Sequence, residues 1–425
     1  MANKKTNENQ GPLSGVRVLD LTRILAGPFG TRILADMGAE VIKIEPPGGD
    51  AARQFEYTTP EGVSGYFMQQ NLGKKDICLD FAHPKALEAV RRLVKMSDVV
   101  VENFRPGVMD RLGIGYKDLK KLKPSIILCS VSAFGQKSPY SRRPAGDMVI
   151  QAMSGLASLT GDPDGPPQTT GMSISDTTGG LHAFGAICAA LYQRSVTGEG
   201  QHIDIALIDC ILWQNEWASQ YIFLSQGQLN PTRYGNRRPI LIPGNLFKGK
   251  DGWIAIVAST DPGWRNLTRA MGRPELGEDA RYSNRTVRMA NRDELERLVE
   301  EWVASFDSVK QVEALLGDRG GVQCGRVRTW KEIIEDPHTR ERELVAEVED
   351  PVLGKTRVVN SPFRLAQGKA GARGGAPLMG QHTLEVLQGM LGMSNQEVLE
   401  LLNANALHAD ERVMPEIVQK LMSEG

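Results

Sequence analysis

The segment VRVLDLTRILAGPFGTRILADMGAEVIKIE, residues 16–45, carries the pattern that decides the fold. Residues 16–21 (VRVLDL) form a short apolar run, the mark of a buried strand. Pro28 suits the opening turn of a helix, and Phe29, Ile33, Leu34 and Met37 recur every three to four residues on one helical face. Gly38 is a fitting stop. Residues 40–45 (EVIKIE) read as a second strand, closed by Pro46 and Pro47. Strand, helix and strand in this order define a β-α-β unit, and with it a parallel sheet whose ligand site lies at the strand ends. A dinucleotide would set Glu45 against a ribose. However, the turn reads RILAGPFG rather than GxGxxG, and without those glycines a pyrophosphate is poorly accommodated. A plain sheet-packing unit fits this stretch as well.

The same alternation continues outward. Residues 50–66 look irregular. Residues 76–80, 99–101 and 125–131 read as strands, and residues 84–96 as a helix with Leu87, Val90, Leu93 and Val94 turned inward. A shorter helix fits residues 117–122. Up to about residue 210 this is the pattern of a doubly wound α/β domain. Residues 211–226 read as a helix rich in aromatics, after which the texture changes. Residues 246–257 form a hairpin turning at 250–252, followed by amphipathic helices at 264–271, 293–305 and 309–316. A second hairpin covers 344–359, a Gly- and Ala-rich linker 367–376, and two helices lie near 383–391 and 396–403. The expected organisation is a disordered tail at 1–10 and a large domain at 11–227. A small α+β domain at 228–330 follows, then a linker and C-terminal segment at 331–425 returning to the large domain.

A length of 425 residues suits two or three domains. A hydrophobic fraction of 41% and a charged fraction of 24% are those of an ordinary globular protein. The net charge of -1, with both signs interspersed, argues against a nucleic-acid-binding surface or a membrane-surface helix. Apolar runs are too short for a transmembrane span, and the polar start MANKKTNENQ lacks the core of a secretory signal. Five cysteines without a CxxC pair read as reduced thiols of a cytoplasmic protein. Six histidines without HxxxH or HxH spacing argue against a metal site.

The chemistry concentrates in residues 171–209, GMSISDTTGGLHAFGAICAALYQRSVTGEGQHIDIALID. Leu181, Phe184, Cys188 and Leu191 share a helical face, and residues 202–207 alternate as a strand. Asp176 falls just before that helix, where the local pattern favours a helix cap over the functional reading, a carboxylate nucleophile beside a glycine-lined space. Gly179 and Gly180 leave backbone uncovered for a ligand. Lys74, Lys75, Arg105 and Arg111 are candidates to meet phosphates, or simply a solvated face. No GxSxG occurs, and no Ser-His-Asp triad can be assembled from spacing.

Taken together, LSGVRVLDLTRILAGP, ADMGAEVIKIEPPGGD, the YF…N…K stretch at 66–74, VENFRPGVMDRLG, SISDTTGG, TGEGQHIDIALID and PLMGQHT occur in an order and spacing that resemble the class III CoA-transferases. This group includes formyl-CoA transferase and the carnitine and bile-acid CoA-transferases. The resemblance implies a Rossmann-like large domain plus a smaller α+β domain, in an interlocked dimer with active sites between one subunit's large domain and the other's small domain. A heteromer with a paralogue is the other arrangement left open. It implies that coenzyme A arrives as a thioester substrate, with no tightly bound cofactor, no metal, no nucleic acid and no membrane. Asp176 matches the catalytic aspartate. Ile24, Leu25, Ala26, Leu79, Asn103, Phe104, Arg111 and Leu112 match CoA contacts, while Pro46 stands in place of an arginine near the adenine. Tyr66, Gly179 and Gly180 become substrate or oxyanion candidates.

Three departures bear on substrate. Leu25 replaces a glutamine of the formyl/oxalate enzyme. Gly146 stands where related acyl-CoA racemases carry a histidine base. In place of a polyglycine loop the chain reads YGNRRPILIPGN, similar to the succinyl-CoA-dependent transferases of dicarboxylic acids. Arg237 and Arg238 in that loop are candidates for a second carboxylate. The expected activity is therefore CoA transfer from succinyl-CoA to a dicarboxylate through an aspartyl mixed anhydride and an aspartyl-CoA thioester. The competing readings are an acyl-CoA racemase, an NAD-dependent dehydrogenase and an inactive partner subunit.

Overall fold

The computed structural model describes residues 10–423, so nearly all of the tail expected at 1–10 lies outside the described residues. In chain order the strands are β1 (Arg17–Asp20), β2 (Glu40–Glu45), β3 (Lys75–Leu79), β4 (Val99–Glu102), β5 (Ile127–Ser132), β6 (His202–Ala206), β7 (Gly244–Lys248), β8 (Trp253–Val257), β9 (Gln323–Arg326), β10 (Val345–Asp350), β11 (Gly354–Val359) and β12 (Leu407–His408). The chain divides into two compact units. The first takes in the described residues up to Gly155, Thr170–Trp217 and those from His338 onward. The second takes in Leu156–Thr169 and Ala218–Pro337. Residues 156–169, expected in the large domain, thus belong to the second unit, which also begins about ten residues before the expected 228.

The first unit is built on a seven-stranded sheet of order β12-β3-β2-β1-β4-β5-β6. Every pairing is parallel except that of β12 with β3. The run 3-2-1-4-5-6 is the strand order of doubly wound nucleotide-binding sheets, and it reverses direction between β1 and β4. Right-handed crossovers then send the β1–β2 helix (Ala26–Asp36) and the β3–β4 helix (Pro84–Met96) to opposite faces. Ala86, Ala89, Val90 and Leu93 of the latter are buried with Ile42, Ile77 and Val100, and Val398, Leu401, Ile417 and Leu421 near the C-terminus join the same core.

On the other face, the first helix packs against a long helix, Ile174–Thr197. Glycine makes the approach possible. A Cβ at Gly30 would stand 2.8 Å from the Gly180 carbonyl oxygen, and one at Gly180 would stand 2.5 Å from that of Ala26. The small residues of AGPFG and TTGG therefore serve helix-on-helix contact.

Several elements differ from expectation. The stretch expected to be irregular, residues 50–66, holds a short helical turn, Ala51–Gln54, and at its end the start of a helix, Gly65–Asn71, whose Phe67 N–H is capped by the Ser64 hydroxyl. The helix expected at 211–226 is two, Leu207–Gln214 and Ala218–Leu224. Helices at Asp147–Met153 and Met414–Ser423 were not anticipated.

In the second unit, β7, β8 and β9 form an antiparallel sheet against a core around Phe247, Trp264, Tyr282, Leu295 and Val299. Arg288 is fully buried there. Its guanidinium donates to the carbonyls of Ile242, Tyr282 and Ser259 and to Asp261, so a charge in an apolar core is satisfied on every side.

Candidate active site

Beneath the turn that follows β1 lies a buried set of charges. Asp20, the last residue of β1, accepts from the Thr22 N–H (2.9 Å), the Thr31 hydroxyl (2.7 Å) and the Lys74 ammonium (2.9 Å). Burial opposes its charge, but Lys74 and then Lys43 overcome that and hold the Asp20 carboxyl down at about 2. Lys43 donates to the Thr22 carbonyl (2.7 Å) and to Asp50 (3.0 Å). Asp50 in turn accepts the Ile24 N–H at 3.1 Å. That last bond restrains a strained residue. Ile24 has φ of 68°, a region that β-branched side chains avoid, and it is 39% exposed at the lip of a cleft. Lys74, expected among the phosphate candidates, is locked inside this array and faces no solvent. Glu45, considered for a ribose, is likewise enclosed, pairing with Arg53 and accepting the Asp50 N–H.

The cleft opens at the C-terminal ends of β1, β4 and β5, where the strand order reverses and where open α/β sheets bind ligands. It has a volume of about 340 Å³. Arg23, Ile24, Leu25 and Ala26 form one wall and Asn103 and Phe104 another. Val131 to Ala133, Ala145, Gly146, Leu207 and Asp176 complete it. The walls are tied together: Arg23 N–H donates to the Asn103 side-chain oxygen and the Asn103 amide donates back to the Arg23 carbonyl, both at 2.8 Å. Phe104 is held by its N–H donating to Glu102 at 2.7 Å, a carboxyl that burial pushes up to about 7.

Asp176 lies inside the long helix, at its third residue, rather than before it. It is not the cap. That place is taken from outside the helix by Asp147, the first residue of Asp147–Met153. One Asp147 carboxylate oxygen accepts the Ser175 N–H (2.8 Å), the Ser175 hydroxyl and, at 3.4 Å, the Asp176 N–H. The other accepts from Gln151 at 2.7 Å. The helix's first-turn donors thus serve Asp147, and Asp176 is left with a carboxylate for a neighbour. Burial first, and the Asp147 charge second, push the Asp176 carboxyl up to about 7. Tyr66 feels the same charge. Burial, then Asp176, push its phenol up to about 12, so it stays a hydrogen-bond donor.

Of the residues singled out in the sequence, Ile24, Leu25, Ala26, Asn103 and Phe104 share the cleft with Asp176. Leu79 is instead buried in the sheet, and Arg111 and Leu112 lie beyond the cleft wall on the short helix after β4 and its C-cap. Gly179 and Gly180 line no open space. A Cβ at Gly179 would stand 2.2 Å from Leu207, and both residues are buried. As the sixth and seventh residues of the helix they engage their N–H groups in its own ladder, which corrects the expectation that they cradle an oxyanion. Arg237 and Arg238 belong to the second unit, where the Arg237 guanidinium is 2.8 Å from both buried Glu296 and Asp293. Sequence reasoning missed Asp147, whose partner lies 29 residues away, and Arg23.

The family model for CoA-transferase family III matches residues 13–383. The chain belongs to CoA-transferase family III. It is 35% identical over 405 residues to the human succinyl-CoA:glutarate CoA-transferase, covering 95% of this chain and 91% of that protein. It is 37% identical over 387 residues to the succinyl-CoA:mesaconate CoA-transferase of Haloarcula hispanica, covering 89% and 96%. A solved CAIB/BAIF family protein from Brucella suis superposes with a TM-score of 0.79 at 33% identity, over 90% of this chain and 100% of that one. The mixed α/β fold with its large parallel sheet is therefore that of the family. Enzymes of family III act on coenzyme A thioesters, and the cleft walls at 23–26 and 103–104 fall on segments quoted above for the resemblance. No described helix is long and apolar enough to cross a membrane.

Proposed function

We propose that this family III CoA-transferase moves coenzyme A from succinyl-CoA to a second dicarboxylic acid, with Asp176 as the group that is acylated in turn. The observation that carries the reading is the environment of Asp176. It is a carboxylate in a cleft at the sheet's reversal point, with a like charge beside it and no cation paired to it among the described residues. Such a carboxyl is not a structural ion-pair partner, and a pKa near the working pH suits a nucleophile. The similarity to succinyl-CoA-dependent relatives supports the choice of donor.

In the first step an Asp176 oxygen attacks the thioester carbonyl. The C–S bond breaks and the thiolate of coenzyme A leaves, giving a succinyl-aspartyl anhydride. The thiolate then attacks the aspartyl carbonyl, the anhydride C–O bond breaks, and succinate departs. An aspartyl-CoA thioester remains. The acceptor carboxylate attacks it, and the same two steps run backwards to release the new acyl-CoA. A thioester is exchanged for a thioester, so no outside energy source is needed. Splitting the exchange into covalent steps lowers the kinetic barrier. The Tyr66 phenol is the candidate donor to the developing oxyanions. Gly146 offers no base opposite Asp176, which disfavours proton exchange at the α-carbon.

Two copies interlock, and exposed Leu212 and Trp213 in one unit and Phe223 and Leu224 in the other are consistent with covered surface. Five free cysteines suit a cytoplasmic enzyme. The test is to supply succinyl-CoA, quench with hydroxylamine or borohydride, and map the label by mass spectrometry. Modification of Asp176 during turnover is expected. An unmodified Asp176 under conditions that label another family member rejects the mechanism.

A further inference from the structure

A dicarboxylate substrate brings a second negative charge into a cleft that already holds Asp176 and, behind it, Asp147. Like charges gathered in one partly desolvated cleft repel, and a cation beside the second carboxylate offsets that repulsion. Of Arg237 and Arg238, the two residues expected to do so, Arg237 already meets Glu296 and Asp293. Among the thirteen residues that line the cleft, one is cationic: Arg23.

We propose that Arg23 is the group that recognises the distal carboxylate of the substrate and so sets the enzyme's preference for dicarboxylic acids. The inference rests on the transfer reaction proposed above. Four observations converge on it. Arg23 lines the same cleft as Asp176. Its guanidinium forms no ion pair among the described residues; it lies 5.6 Å from the centroid of the Phe104 ring, which orients the planar fork without neutralising it. Its backbone is clamped by the reciprocal 2.8 Å bonds with Asn103, so the side chain springs from a rigid base. Asn103 and Ser132 are polar, but Ile24, Leu25, Ala26, Val131, Ala133 and Leu207 supply apolar lining that suits the short methylene span between two carboxyl groups. The phosphates of coenzyme A are a poorer match. They lie a full pantetheine arm away from the thioester, whereas Arg23 shares its cleft with the carboxylate that attacks the thioester.

The experiment compares wild type with Arg23→Gln and Arg23→Lys. Each is assayed with succinyl-CoA as donor against a five-carbon dicarboxylate and the monocarboxylate of the same length, alongside the dissociation constant of free coenzyme A. A charge-assisted hydrogen bond of this kind is worth about 10- to 100-fold. Arg23→Gln is therefore expected to lower kcat/KM for the dicarboxylate acceptor by about that factor and to leave coenzyme A affinity and kcat/KM for the monocarboxylate acceptor, a constant that the succinyl-CoA half-reaction does not enter, unchanged. Arg23→Lys restores part of the loss. Equal losses on both acids, or weaker coenzyme A binding, place Arg23 on the cofactor-like end of the substrate and overturn the inference. A dicarboxylate preference that survives Arg23→Gln but disappears in Arg237→Ala overturns it in favour of the loop arginine. If wild type transfers coenzyme A to no acid at all, the reaction itself is misassigned; if wild type works and the variants keep its preference, this inference alone falls.

Discussion

Asp20 and Asp176 are both carboxylates removed from bulk water in the same unit, and their surroundings send them in opposite directions. Asp20 faces Lys74 and Lys43 and accepts three further hydrogen bonds, so it stays ionised far below neutrality. Asp176 faces Asp147, and the helix donors that would have steadied its charge are engaged elsewhere. Pairing, more than burial, separates a structural charge from a reactive one: the first holds Ile24 and the turn in shape, the second is poised to bond with an acyl carbon. The teaching is that a nucleophile is made here by withholding partners as much as by supplying them.

The largest effect expected from breaking this contrast is at Asp176 itself. Asp176→Asn is predicted to lower turnover by about 10⁴-fold or more, measured by transfer from succinyl-CoA, while coenzyme A still binds. The same change sharpens the comparison in stability. A folded-state value of about 7 stands above the unfolded value, so the wild-type fold is progressively weakened as pH rises from about 4 toward 7. The thermal midpoint of Asp176→Asn is thus expected to exceed wild type at pH 8 and to match it near pH 4.

Lys74→Met tests the opposite pole. Leaving Asp20 buried without its cation is expected to cost about 3–5 kcal/mol in chemical denaturation, and an additional Asp20→Asn change should return part of that. A smaller loss is expected where the two helices touch. Gly180→Ala puts a methyl 2.5 Å from a backbone carbonyl that cannot swing away, a cost of about 1–3 kcal/mol. Gly185→Ala on the same helix meets nothing within 4 Å and should stabilise by about 1 kcal/mol. A further effect concerns pH. Below about 7 the wild-type kcat/KM should fall tenfold per unit as Asp176 takes up its proton, then level off above. Asp147→Asn should move that acidic limb downward without restoring an ordinary carboxylate, because burial is the larger cause.

How much of this was legible follows the range of the forces involved. The strands at 17–20, 40–45 and 99–102 and the helix at 84–96 carry their apolar periodicity within a few residues, so the sheet could be read directly. The start of the long helix could not. SISDTT is rich in residues that prefer caps and turns over helix interiors, and locally they argue for a later start. Asp147 overrides that preference by capping from 29 positions upstream, and the contact with Gly30 and Ala26 secures the turn. The glycines were legible as sites of close approach; what approaches them is another helix. Asp176 emerged through the family's motifs, since a lone aspartate near a helix start has no distinctive local signal. Arg23 has none either, because what marks it is the lack of an ion-pair partner among the described residues.

The strand β12 closes the sheet with two residues, laid antiparallel on β3 from more than three hundred positions further along the chain. Until the ribosome has delivered Leu407 and His408, the far side of β3 presents unpaired backbone groups to the cell. The nascent polypeptide therefore carries an open edge through most of its synthesis, a stage at which intermolecular pairing competes with folding.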